Sequence, residues 1–232
     1  MTARYAIYFV PPEDHPVYAF GQHLLGRDAH LCGPLAQPAL AGIAPVRLEE
    51  ITAEPRDYGF HATLKPPFCV KDGTGGPEAL HDAAAGFAAR RTPFTVRHWK
   101  IRALDRFIAI MPVDAPKTLQ ILADDCVRDF EPFRAPATED ERAKRRAPGL
   151  TPRQEAFLDD WGYPYVFEEF RLHLTLTGRI EGETERKTVL DAIRKICPPE
   201  CLTDIPVNAI SIFGQPDTWM PFHQTKRFPF GG

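Results

Sequence analysis

A single serine, Ser211, stands among 232 residues, and no Gly-x-Ser-x-Gly elbow surrounds it. A serine-hydrolase nucleophile is therefore not expected. The five cysteines (Cys32, Cys69, Cys126, Cys197, Cys201) include no Cys-x-x-Cys pair, which argues against a zinc knuckle or a redox dithiol. No glycine-rich phosphate loop is present, because Gly73-Thr74-Gly75-Gly76 lacks the lysine of a P-loop and reads as a turn. Long apolar runs are missing as well. Tyr5 to Val10 is apolar for six residues before Pro11-Pro12, too short for a signal-peptide core or a membrane span. It reads as a first strand, so the expectation is a cytoplasmic protein with no membrane partner. Charge of one sign is not in excess: 28 basic against 31 acidic residues give a net charge of −3. That balance disfavours a nucleic-acid partner, although it leaves room for a local basic cleft.

What is present is a repeated tetrapeptide. His61-Ala62-Thr63-Leu64 and His173-Leu174-Thr175-Leu176 place their histidines 112 positions apart, one in each half of the chain. Random placement predicts fewer than one His-x-Thr/Ser triplet in this composition, and three occur. The third, His223-Gln224-Thr225, follows Pro221, precedes Lys226-Arg227 and lacks alternation, so it reads as a surface coincidence. In an extended strand, residues two apart share a face. His61 and Thr63 then point one way, opposite Phe60, Ala62 and Leu64. In the second copy Arg171, His173, Thr175 and Thr177 oppose Leu172, Leu174 and Leu176. Each strand would bury its apolar side and present an imidazole beside a hydroxyl.

The surroundings of the motifs also repeat. Gly76-Pro77 opens a helical pattern with Leu80, Ala83, Ala84 and Phe87 on one stripe, and the strand 94–96 follows. Residues 183–196 carry Val189, Leu190, Ile193 and Ile196 at helical spacing, Pro198-Pro199 ends that helix, and 205–213 reads as a strand. His61 to Val96 spans 35 positions and His173 to Val207 spans 34. Elsewhere the pattern predicts a strand over 4–10, a helix over 16–26, strands over 94–101 and 106–113 joined as a hairpin, and a helix over 117–130. The first motif strand should run from 59 to 65 and stop at Pro66-Pro67, and 48–57 reads as irregular or partly helical. The charged stretch 138–146 is either a solvated helix or a lid whose Lys144, Arg145 and Arg146 attract phosphate. With no long polar linker, residues 1–232 form one domain of two packed lobes, divided near residue 115, each holding one motif.

Opening a phosphodiester requires a base for the nucleophile, an acid for the leaving oxygen, and donors for the non-bridging oxygens. Histidine suits both proton roles, because its ordinary pKa lies near neutrality. His61 and His173 are the candidate acid and base, and the Thr63 and Thr175 hydroxyls the candidate phosphate donors. Lys65 and Arg171, on the same expected faces, either contact phosphate or are solvated at the strand ends. No His-x-His, His-Glu-x-x-His or acidic cluster adjoins the motifs, so no metal and no cofactor is expected.

Paired His-x-Thr motifs, one per half, resemble the two-histidine (2H) phosphoesterase superfamily. The resemblance implies an α+β, bilobal, duplicated fold: two antiparallel sheets flanked by helices around a central cleft, related by a pseudo-two-fold axis. Carried over, the catalytic histidines are His61 and His173, and the phosphate-binding hydroxyls Thr63 and Thr175. The stretch from Asp57 to Phe68, the run Trp161-Gly162-Tyr163-Pro164-Tyr165, and His173 to Gly178 are similar to a bacterial branch labelled by phosphonate metabolism. That branch is often associated with carbon–phosphorus lyase operons. The resemblance implies a metal-independent cyclic phosphodiesterase acting on a small phosphoester, with a ribose cyclic phosphate from phosphonate breakdown as the specific expectation. A phosphoester-binding module without catalysis and an RNA-end 2′,3′-cyclic phosphodiesterase are the alternatives.

Overall fold

A computed structural model describes residues 3–147 and 149–232. In chain order its elements are β1 (Arg4–Phe9), α1 (Pro16–Leu25), β2 (Arg27–Asp28), β3 (Gly33–Pro34), α2 (Pro45–Tyr58), β4 (Ala62–Cys69), α3 (Gly76–Ala89), β5 (Phe94–Val96), β6 (Trp99–Leu104) and β7 (Phe107–Pro112). Then follow α4 (Lys117–Asp129), α5 (Glu139–Arg146), α6 (Pro152–Trp161), β8 (Leu174–Thr175), α7 (Glu183–Ile196), β9 (Ile205–Val207), β10 (Ala209–Gln215) and β11 (His223–Pro229). Every strand pair among the described residues is antiparallel. The fold is thus α+β, as the resemblance to the two-histidine superfamily implies.

Local chemistry accounts for the helix boundaries. Pro16, Pro45 and Pro152 occupy first turns, where a missing N–H costs no hydrogen bond. Reciprocal capping boxes start α5 (Thr138 with Glu141) and α6 (Thr151 with Gln154). Gly26 and Gly162, both left-handed, end α1 and α6. The 48–57 stretch is fully helical within α2; Pro55 is accommodated near its C-terminal end, where few intrahelical bonds remain to be lost.

The sheets do not follow the halves of the sequence. One has the order β11-β10-β1-β4, and the other β6-β7-β8. The first motif strand, β4, therefore shares a sheet with strands from the C-terminus. The second, β8, extends the hairpin β6-β7 from the first half. The boundary expected near residue 115 does not coincide with a division between sheets: each repeat's closing hairpin crosses to the sheet of the other repeat's motif strand. Between them β5 pairs with β9, Phe94 opposite Val207 and Val96 opposite Ile205. These are equivalent strands of the two repeats, and an antiparallel pairing of equivalents is what a two-fold relation produces.

The two motif strands differ from expectation in detail. β4 continues through Pro66-Pro67 to Cys69 because it is an edge strand, where proline's missing N–H can face away from the sheet. β8 is only two residues long. Its alternation nevertheless holds: Leu172, Leu174 and Leu176 are buried in the main core with Ile108 and Ile110. Beyond Thr175 the N–H groups of Leu176 and Thr177 still donate to Ile108 O of β7, at 2.9 and 3.2 Å, and Gly178 N–H then donates to Ile51 O of α2 at 2.6 Å.

Candidate active site

β1 is buried on both sides. Ile7 and Phe9 enter the main core, while Ala6, Tyr8 and Val10 face a second cluster with Phe213 and Phe222. On that second side Tyr8 is in register with Thr63 of β4, and the His61 ring lies flat on the Tyr8 ring, centroids 3.5 Å apart. His61 Nδ1 is 2.9 Å from Gly59 O. A carbonyl only accepts, so Nδ1 carries the proton and donates, leaving the Nε2 lone pair free to accept. The Thr63 hydroxyl lies 3.2 Å from that Nε2 and donates to it. Gly59 holds φ +79°, and a Cβ there would meet the Ala29 Cβ at 2.5 Å, so this backbone turn requires glycine.

His173 repeats the arrangement. Its Nδ1 is 2.7 Å from the carbonyl of Arg171, again the residue two positions back, so this imidazole also donates from Nδ1. It packs against Phe107, ring centroids 5.4 Å apart. Burial pulls the pKa of His61 down to about 3, against the raising effect of the Gly59 carbonyl, and the charge of His173 lowers it further. Burial also lowers His173, with the Arg171 carbonyl opposing it. His173 is partly exposed, whereas His61 is 9% exposed.

A cavity of about 320 Å³ lies between the two motif strands. His61, Thr63 and Thr175 line it, as do Phe107, Thr177 and Gly178; His173 does not line it but packs against the lining residue Phe107. The volume is at the low end of the roughly 300–1,000 Å³ typical of small-molecule sites. Among the described residues no three His, Cys, Asp or Glu side chains group so as to hold a metal ion. Among the described residues no helix is long and apolar enough to cross a membrane.

Lys65 and Arg171 are placed elsewhere. A bulge between Thr63 and Lys65 leaves Thr63 opposite Tyr8 but puts Lys65 opposite Ile7, on the core side. There the Lys65 ammonium donates to Val127 O at 2.9 Å and to Glu131 at 2.8 Å. Upstream of Arg171 the chain makes a 3-10 turn, Phe167–Glu169, and returns to extended backbone only at Phe170. Arg171 is exposed and donates to the carbonyls of Glu168 and Phe170. Neither side chain lines the cavity, so the strand-face argument fails for both.

Other residues take their place. Arg4, Tyr8, Tyr58, Arg145, Tyr163 and Arg179 line the cavity. Of the charged stretch 138–146, a helix as the bland alternative had it, Arg145 alone lines the cavity. Lys144 is exposed, and Arg146 pairs with Glu155 and Asp159. Burial pushes the Tyr8 phenol well above its usual range, with Arg4 and Arg145 opposing.

With this geometry in view, the comparisons with known proteins are informative. Residues 63–223 match a family described as "Protein of unknown function (DUF1045)". The chain belongs to the DUF1045 family. Among its relatives is the "Ribose 1,5-bisphosphate phosphokinase PhnN" of Janthinobacterium sp. (strain Marseille), 36% identical over 234 residues, covering 99% of this chain and 51% of that protein. The protein of the same name from Laribacter hongkongensis (strain HLHK9) is 33% identical over 178 residues, covering 77% of this chain and 40% of its own length. The chain thus spans about half the length of the curated relatives it matches. Its fold is shared with E. coli LigT, solved with 3′-AMP, at a TM-score of 0.51 and 13% identity over the whole of both chains. That is the 2H phosphoesterase fold expected from the paired motifs.

Proposed function

We propose that this DUF1045 protein is a phosphodiesterase that opens a five-membered cyclic phosphate to a monoester by paired-histidine acid/base catalysis, with no metal ion. One observation carries the reading. Two histidines from different sheets each fix Nδ1 on the carbonyl two residues back, and each strand adds a threonine hydroxyl to the same cavity.

His61 is the base. It stays neutral because it is the more buried ring, and its Nε2 lone pair takes the proton of the attacking water. His173, the more exposed ring, becomes protonated more readily and gives its proton to the departing sugar oxygen. Water thus adds to phosphorus, the ring P–O bond breaks, and one proton enters at His61 as another leaves from His173. Thr63 and Thr175 donate to the non-bridging oxygens. In the free protein the Thr63 hydroxyl is directed at His61; turning it onto the phosphate releases the base at the moment of binding.

A ribose cyclic phosphate arising in phosphonate breakdown is the proposed substrate. The relatives' names support it, since they concern a ribose phosphate. The phosphokinase step itself is not carried over, because this chain has no Gly-x-x-x-x-Gly-Lys-Ser/Thr loop.

The test is turnover of a panel of cyclic phosphates in the presence of a chelator, with His61→Ala and His173→Ala beside the wild type. Turnover that survives chelation and falls about a hundredfold or more in each variant supports the reading. Ligand binding without turnover would favour a binding module, and turnover only at RNA ends with salt-sensitive binding would favour RNA processing.

A further inference from the structure

The cavity carries more positive charge than one cyclic diester needs. Arg4, Arg145 and Arg179 line it against a single lining carboxylate, Glu54. Arg179 is turned to Asp105 at 3.5 Å and Glu181 at 3.8 Å. The other two are not neutralised. Arg4 directs its guanidinium to the uncharged Gln215 Oε1, at 2.8 and 2.5 Å. On α5, Arg142 pairs with Asp159 and Arg146 with Glu155. Arg145, between them, has no ion pair among the described residues and lies 4.8 Å from the centroid of the Tyr163 ring. Both unneutralised arginines are partly buried, a costly place for a charge without a counter-ion.

Strand geometry sets Arg4 apart from the reacting centre. Arg4 and Tyr8 share a face of β1 and are four residues apart, about 13 Å along the strand. Tyr8 is level with Thr63, whereas Arg4 is opposite Cys69 at the far end of β4. Between those levels Pro66 and Pro67 line the cavity, and Arg145 approaches beside Tyr163. Planar guanidinium groups match phosphate oxygens in pairs, and the phenols of Tyr58 and Tyr163 line the same region.

We propose that Arg4 and Arg145 form a second anion subsite, which holds a phosphate monoester borne by the same small molecule whose cyclic diester is opened at His61 and His173. The proposal rests on the phosphodiesterase reading above. The substrate class is then a sugar with two phosphoryl groups, one cyclic and one terminal. A cyclic phosphate without the terminal group leaves both guanidiniums unpartnered and is the poorer substrate.

The experiment compares cytidine 2′,3′-cyclic phosphate and ribose 1,2-cyclic phosphate, each with and without a 5-position phosphate. It uses wild type, Arg4→Gln and Arg145→Ala, with folding checked by circular dichroism. The expected kcat/KM ratio, phosphorylated over unphosphorylated, is about tenfold or more in the wild type and falls toward one in each variant. A wild-type ratio near one overturns the subsite. So does a ratio that both variants keep, or an equal loss on both substrates, which would put the arginines on the reacting phosphate. If no cyclic phosphate is turned over, the catalytic reading fails and the subsite is read by calorimetry with ribose 5-phosphate. Binding that weakens about tenfold in Arg145→Ala, with none for ribose, sustains the subsite; no binding, or equal binding in the variant, overturns it.

Discussion

His61 and Tyr8 stack face to face, with ring centroids 3.5 Å apart and planes 13° from parallel. The tyrosine covers one face of the imidazole, and the Gly59 carbonyl accepts a hydrogen bond from its Nδ1–H. Water is thereby kept from the ring that would have to be hydrated as a cation, and desolvation is the largest cause of its lowered pKa. The stack is how the fold keeps the His61 imidazole unprotonated.

The same arrangement links stability to pH. The His61 pKa is 6.5 unperturbed and about 3 in the folded protein. Between those values the unfolded chain binds a proton that the folded protein excludes, so stability falls as pH drops through this window. The loss is full only near pH 3, and at pH 4.5 it amounts to roughly 3 kcal/mol at 1.36 kcal/mol per unit. His61→Phe keeps a ring on Tyr8 but cannot titrate. Its urea midpoint should decline less than the wild type's between pH 7 and 4.5; parallel declines would refute the linkage.

Activity should depend on pH in the opposite sense. His173, the proposed acid, titrates below its ordinary value because it is desolvated, so at neutral pH only a minority of the free protein holds its proton. His61, the proposed base, remains unprotonated until far lower pH. The expected kcat/KM therefore rises as pH falls from 8 to about 5.5, by at most about tenfold per unit. The kcat profile should be displaced to higher pH, since the bound phosphate's negative charge favours the imidazolium. A kcat/KM that rises with pH from 5 to 7 would show a base titrating in that range and so overturn the lowered pKa of the two rings.

Three threonines in the two motifs separate into two kinds. Thr177 is fully buried, accepts from Ile108 N–H at 3.0 Å and donates to Gly178 O at 2.9 Å. Thr63 and Thr175 line the cavity and have no such pair of backbone partners. Thr63→Val and Thr175→Val should each lower kcat about a hundredfold with little change in melting temperature. Thr177→Val should instead cost about 1–3 kcal/mol of stability, because it strands the Ile108 N–H. Melting curves measured beside single-turnover rates distinguish the two kinds, and a Thr175→Val enzyme of full activity would remove that hydroxyl from the mechanism.

How far the sequence spoke depended on whether the signal was local. The helices α4 and α7 lie within one residue of their expected ends, because their apolar stripes and neighbouring prolines act within a few turns. The hairpin β6-β7 was legible from its alternation. The strand expected over 94–101 breaks in two at His98, which adopts φ +53°, a conformation no pattern of hydrophobicity encodes. The two His-x-Thr pairs were legible because chemistry and alternation coincided there. Arg4 and Tyr8 were not, since β1 is apolar on both faces and gives no sign of which side meets the cavity. Nor could alternation reveal the exchange of hairpins between repeats, which is a property of long-range pairing.

Lys65 shows what one extra residue does to a strand. The bulge in β4 turns its side chain from the cavity into the core, where its side chain is 2% exposed beside a Glu131 side chain that is 23% exposed. Burial lowers the Lys65 pKa, and Glu131 opposes that effect. Glu131 also holds Arg134 at 2.6 Å, so losing the lysine leaves the carboxylate a partner, whereas losing the carboxylate leaves a buried ammonium with only Val127 O. The two truncations should therefore be unequal. Glu131→Ala is expected to cost about 3 kcal/mol, while Lys65→Met, which fills the same space without charge, should be near neutral or stabilising. Denaturant titration of both variants decides the matter. Because Lys65 lies away from the cavity, Lys65→Met should also keep wild-type kcat/KM, and a hundredfold loss in a folded Lys65→Met protein would return this lysine to the phosphate site.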